Sequence, residues 1–218
     1  SLLALTWRTL PSTAVVYDLF LGTIRDWGIE YTGGFDSVSI PQATDFMGDL
    51  ARTDVSITTT AALAGAAIEQ LLKEGGLYTY QLAGGDETMQ AMTFSADLLT
   101  AIQTIVKSEQ GHFYIENDGT ITFIERTGPV ATTRMNTSQA TFVAGNLNYQ
   151  SIELAYEADI LQNDAKFTRT GGAQQAYTDA DSVTAYGKRS KTMSGLALAT
   201  DAAVLYIATA YVGKWSEP

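Results

Sequence analysis

A chain of 218 residues with 13 Lys plus Arg against 24 Asp plus Glu has a formal net charge of −11, which gives it no electrostatic pull toward nucleic-acid phosphates. It has no Cys, so a disulfide framework, a thiolate metal site and a cysteine nucleophile are all excluded. With 45% hydrophobic and 17% charged residues the composition is that of a folded chain able to bury a real core, and no apolar run approaches the ~20 residues of a membrane helix, so no membrane insertion is expected.

The chain opens at Ser1-Leu2-Leu3 and stops at Pro218, which reads as an excerpt of a longer polypeptide without the basic stretch of a signal peptide. From Leu2 to Ile40 apolar residues alternate. Leu3, Leu5 and Trp7 share one face, a turn follows at Pro11-Ser12-Thr13, a long run continues to Tyr31, and Ser37-Val38-Ser39-Ile40 returns after Gly33-Gly34. This pattern predicts a three-stranded meander. Pro41 cannot donate to a ladder, so the third strand ends there or lies at an edge. Asp45 is placed to cap a short helix through Leu50.

The middle of the chain changes period. Thr60 is expected to cap a helix over residues 61–74, with Leu63, Ala67 and Leu71 beside Ala64, Ile68 and Leu72, and Gly75-Gly76 supplying the stop. Ser95 is expected to cap a second helix, with Asp97 near its positive end, Leu98, Ile102, Ile105 and Val106 inward, and Gly111 ending it. His112 to Glu116, the turn Asn117-Asp118-Gly119, and Thr120 to Ile124 make the strongest hairpin signal in the chain. A polar connector follows Gly128-Pro129. A second β region then holds strands at Ser151 to Tyr156 and from Ala165 to Arg169, and after Tyr186-Gly187 comes strand or loop. Thr200-Asp201 opens a final helix with Val204, Ile207, Ala208 and Tyr211 on one face.

Chemistry-bearing patterns are sparse. His112 is the only histidine, and as the first residue of a strand with no Gly-x-Ser-x-Gly elbow it reads as structural. Asp26 with Glu30, and Glu116 with Asp118, read as solvated edges rather than a glycosidase pair. Asn117-Asp118-Gly119 and Asp179-Ala180-Asp181 lack the ligand alternation of a calcium loop and are assigned to turn and helix-cap roles. The paired glycines, among them Gly84-Gly85, do not stand in a phosphate-binding arrangement. No catalytic residue, metal site or cofactor is expected, and the chain is not expected to be an enzyme. The aromatics Trp7, Tyr17, Trp27 and Tyr31 are ranked as core first, subunit interface second and sugar platform third.

Several runs together resemble a family. Tyr17 to Trp27, then Ser37 to Asp45 with Leu50-Ala51-Arg52, the helix and hairpin from Ser95 to Ile124, the strand Ser151 to Tyr156, Tyr186 to Ser190, and Ala199 to Pro218 are similar to the siphophage minor tail proteins of the tail-hub or baseplate-hub group. Family members carry further strands before the position of Leu2, and Leu161-Gln162-Asn163-Asp164 stands where many have a Tyr-Asn-Arg run. The resemblance implies an α+β, mainly β fold with two β-barrel-like regions separated by a helix-plus-hairpin insertion and a C-terminal helix. The regions are 1–52, an incomplete first barrel; 53–130, the insertion; and 131–218, the second β region with its helix.

It also implies a virion protein of the tail tip, a homo-oligomer, as a trimer of pseudo-sixfold symmetry. Its expected neighbours are the distal tail protein, the tape measure and tip proteins, and genomic DNA passes through without specific binding. On this reading strand edges are interfaces, part of the −11 charge lines the lumen and repels DNA, and Trp7, Trp27, Tyr31, Tyr211 and Trp215 are interface candidates. Tyr211, Val212 and Trp215 are read as docking on a neighbour or leading into a further domain. The alternative is a host cell-wall carbohydrate-binding module that grips sugar through Trp7 and Trp27, and a third possibility is a cell-wall hydrolase.

Overall fold

A computed structural model describes residues 2–8, 16–31, 37–76, 79–127 and 160–217. The first three strands, β1 (Leu2–Arg8), β2 (Val16–Tyr31) and β3 (Ser37–Thr44), form the expected antiparallel meander in the order β1-β2-β3. Pro41 lies inside β3, opposite Trp27, and among the described residues β3 is an edge strand, the position in a sheet where a proline is tolerated. Helix α1 (Phe46–Leu50) follows with Asp45 at the N-cap position but without a side-chain cap bond.

Strand β4 (Asp54–Thr58) pairs antiparallel with β8 (Thr93–Asp97), and the two-residue strands β5 (Ala62–Leu63) and β7 (Thr88–Met89) pair with each other. These ladders move both predicted helix starts. Helix α2 (Ala64–Glu74) begins after Leu63, not at Thr60, because residues 62 and 63 are held in the ladder; Thr60 instead donates its N–H and hydroxyl to Gln70 Oε1. Helix α3 (Leu98–Glu109) begins after Asp97, not at Ser95, because Ser95 and Ala96 are paired with Ser56 and Val55. Asp97 is the cap, accepting from the Thr100 N–H at 2.8 Å and its hydroxyl at 2.7 Å, a cap of about 1 kcal/mol. The predicted stop is shifted as well: Gln110, at φ 60°, takes the left-handed position that Gly111 was expected to fill.

Strands β9 (His112–Ile115) and β10 (Ile121–Ile124) form the predicted hairpin, with Gly119 at φ 85° and the Asp118 carboxylate accepting from Thr120. A short strand without a sequence signal, β6 (Tyr80–Leu82), runs parallel on the other side of β10. Beyond residue 159 come β11 (Asp164–Arg169), β12 (Gln175–Thr178), α4 (Ala180–Tyr186), β13 (Ser190–Leu196) and α5 (Asp201–Trp215), with the sheet ordered β12-β11-β13. Asp179 caps α4 and Thr200 caps α5 through side-chain bonds to backbone N–H groups. The strand expected at Ser151 to Tyr156 and the connector after Gly128 lie outside the described residues.

One core joins the insertion to the second β region. Leu71, Leu72, Ile102, Ile105 and Phe123 belong to the same buried cluster as Phe167, Leu198, Val204 and Ile207. The buried side chains of α2 and α3 recur at the three- and four-residue spacing of an amphipathic helix. Gly65 lets α2 touch the backbone at residues 83–84: its N–H donates to Gly84 O at 2.9 Å, and a Cβ there would sit 1.8 Å from Ala83 O, so only glycine fits. Among the described residues the fold is mixed α+β, mostly strands, with five helices, and no sheet closes into a barrel.

Candidate functional site

The first sheet is staggered. Strand β1 pairs with β2 from Val16 to Thr23, and β3 pairs with it from Thr23 to Tyr31, so the two partners share only Thr23. Each half of the 16-residue β2 is thus a two-stranded ribbon with one open side among the described residues. Such a ribbon is marginal in water until a third strand or a packed face supports it. At its centre Asp49 of α1 accepts from Thr23 Oγ1 at 2.7 Å and pairs with Arg25, which also donates to Thr44 Oγ1 at 3.0 Å. From this clamp the β2–β3 ribbon extends eight residues, about 26 Å.

Register identifies what its faces carry. Opposite residues share a face, so Leu3, Leu5, Phe20, Ile24, Ala43, Pro41, Trp27 and Ile29 lie on one side, the bulge at Arg25 keeping the two halves in phase. Trp27 and Ile29 are each 56% exposed, and Leu5 and Leu19 are exposed too. Ile40, on the opposite side near the ribbon's tip, is also exposed. Among the described residues, large exposed apolar side chains are thus concentrated on this one sheet.

The sequence candidates fall in two places. Trp27 stands on the ribbon. Tyr31 is the last residue of β2 and Trp7 pairs with Tyr17 in the β1–β2 ladder, both with side chains outside the described part. Tyr211 and Trp215 meet on α5, ring centroids 6.4 Å apart. Tyr211 is engaged within its own chain, edge-on to Phe167 at 5.4 Å and donating its hydroxyl to Gln162 at 2.6 Å, and Val212 is buried in the core. Beside them His112 is exposed at the start of β9 and lines a groove of about 530 Å³ between α3 and α5. Lys107, Lys214 and Arg126 also line it. None of these three was singled out in the sequence; the available signal was that the two lysines fall in the last turns of predicted helices, where the dipole favours a cation.

The buried charges serve the fold. Glu109 is fully buried at the C-terminal end of α3 and accepts from the N–H groups of Asp86 and Glu87 at 2.7 and 3.1 Å. Burial pushes its carboxyl from 4.5 up to about 7, against those bonds and the nearby Arg126. Asp164, also buried, is held down at about 2 by Ser190, Thr178 and Lys188 despite its desolvation. Neither lines the 530 Å³ groove or the 370 Å³ cavity near Gly119, and no His, Asp and Glu group able to hold a metal occurs among the described residues.

The shift at Glu109 has a definite sign. Its folded value lies above the unfolded one, so the native state binds the extra proton and stability falls as pH rises from about 4.5 to about 7. Urea midpoints across this range are expected to decline in the native chain and to lose that decline in Glu109→Gln. Equal slopes would refute the assignment.

No family model matches the chain, and no curated protein does. Solved structures share its fold. A tail protein from Neisseria meningitidis aligns with a TM-score of 0.58 at 15% identity, over 93% of this chain and 63% of that one. A 43 kDa tail protein of prophage MuSo2 from Shewanella oneidensis gives 0.58 at 12% identity, over 98% and 71%. The prophage tail protein gp18 from Listeria monocytogenes gives 0.50 at 13%, over 89% and 60%. At these identities the likeness is one of fold, and the chain spans under two thirds of the first of these proteins. All three of these structures are tail proteins, two of them from prophages.

Proposed function

We propose that this chain is a structural, non-enzymatic component of a phage tail: a tail-hub subunit that forms a ring at the distal end, connects the tail tube to the tip and encloses the DNA path. The observation that carries this reading is the staggered sheet, whose two half-ribbons each leave β2 open on one side among the described residues while large apolar side chains are exposed. A cyclic assembly removes both liabilities, because a neighbour's strand can complete each ribbon and cover its face. The fold shared with tail proteins supports the setting. On this reading the barrel-like regions of 1–52 and 131–218 are completed by neighbouring polypeptide, the segment 53–130 is the insertion between them, and acidic surface lines the lumen.

The test is the mass of the particle in solution. A trimer of 23.4 kDa chains gives about 70 kDa, and threefold or pseudo-sixfold class averages in the electron microscope are expected with it. A monomer across the micromolar range would sink the ring. The exposed indole of Trp27 supports a second reading, a cell-wall sugar-binding module; glycan-array binding that vanishes in Trp27→Ala while the particle mass is unchanged would favour it.

A further inference from the structure

We propose that the groove between α3 and α5 is a docking site for an acidic polypeptide segment of a neighbouring protein, one that seats an apolar side chain on the groove floor. The floor is apolar, built from Val106, Ala210, Tyr211 and Trp215. The rim is cationic. Lys107 and Lys214 are exposed at opposite lips, the Lys214 ammonium lying 5.1 Å over the Trp215 ring. Arg126 stands in the wall with its guanidinium 4.9 Å over the Tyr206 ring. Its Nη2 is 3.8 Å from Asp86 and its charge also acts on Glu87 and Glu109, while none of its three nitrogens has a hydrogen-bond partner among the described residues, so those carboxylates largely balance it and the exposed lysines carry the positive rim.

The charge pattern selects the occupant. In a chain of net charge −11, this groove gathers Lys107, Lys214, Arg126 and the only histidine, and no carboxylate is among the described residues that line it. A ligand that complements it is anionic at the edges and apolar at the centre. Bare phosphate chains offer nothing to the Val106–Trp215 floor, and a purely apolar segment leaves the lysines unused. Helix α5 also has apolar residues on its outward side, where Leu205 and Tyr206 are exposed, so a bound segment has apolar surface to follow beyond the groove.

The probe is a set of fluorescently labelled peptides in which Glu and Asp flank a central Leu-Phe pair, with partners in which every acid is exchanged for Lys, titrated against the intact chain. Binding of the acidic set is expected to weaken with added salt and to fall at least about tenfold in the double variant Lys107→Glu with Lys214→Glu. Both lysines are exposed, so the variant keeps its fold, and its particle mass is checked alongside. Arg189→Glu, an exposed cation elsewhere on the surface, is expected to leave affinity unchanged. Amine acylation read by mass spectrometry gives an independent measure: Lys107 and Lys214 react in the free protein and are protected by the acidic peptide. The proposal is overturned if every acidic peptide binds more weakly than about 1 mM, if the Lys-exchanged set or a single-stranded oligonucleotide binds as tightly, if the double variant binds unchanged, or if both lysines are already shielded in the free protein.

Discussion

If the proposed ring forms, replacing Trp27 and Ile29 together with Asp is expected to leave single 23.4 kDa chains at concentrations where the unaltered chain sediments as the oligomer. Both side chains are more than half exposed in the isolated chain and lie on the same face of the β2–β3 ribbon. Their removal therefore costs the chain little internal packing. In an assembly each would contribute about 1.5–3 kcal/mol of apolar burial, and an aromatic anchor at an interface centre commonly costs 2 kcal/mol or more on truncation. Asp adds the desolvation of an unpaired charge. A combined loss of about 5 kcal/mol per contact weakens association by more than about a thousandfold. Sedimentation velocity measures the effect, and the far-ultraviolet dichroism of the core elements is the control. If the double variant keeps the mass of the unaltered protein, the ribbon is not the seam of the proposed ring.

The second large effect lies in the core. Phe167→Ala is expected to destabilise the chain by about 3–5 kcal/mol, a large part of the 5–15 kcal/mol available to a domain. Phe167 is completely buried at the centre of β11 and holds the Tyr211 ring edge-on. Its removal opens a cavity between β11 and α5 and takes away the edge-on partner of Tyr211, leaving the Gln162 bond and the Trp215 ring to fix it. Because insertion and second β region share one cluster, the loss is expected in a single cooperative transition. Tyr177→Ala, an exposed aromatic on the neighbouring β12, is the matched control, with a change within about 0.5 kcal/mol. Urea midpoints decide the matter: a Phe167→Ala cost below about 1 kcal/mol would mean that β11 and α5 are not packed as described.

Helix periods and turn chemistry were readable without the fold. The apolar spacing of residues 64–72 and 98–105 and the Asn117-Asp118-Gly119 turn are local signals, and each element formed where its signal lay. The errors lie at boundaries. Thr60 and Ser95 are good capping residues, yet ladder pairing of residues 62–63 and 93–97 with distant strands outcompeted a cap each could have made locally. Gln110 took the left-handed conformation, and the glycine at 111 serves close packing instead, since a Cβ there would lie 2.6 Å from Ile124 O. Among the candidate interface residues, alternation could place Trp27 on a strand face but not tell whether that face was covered.

The sequence by itself determined an acidic, cysteine-free chain of mixed character, its leading meander, its two central helices with their hairpin and its closing helix, since all of these depend on periodicity and turn residues within a few positions. Only the tertiary structure decided that β1 and β3 divide β2 between them, each ribbon having one open side among the described residues, and that Lys107, Arg126 and Lys214 converge on one groove from α3, the turn after β10 and α5. Register and convergence are long-range properties. They follow from which segments pack together, and neither leaves a local periodic trace in the chain.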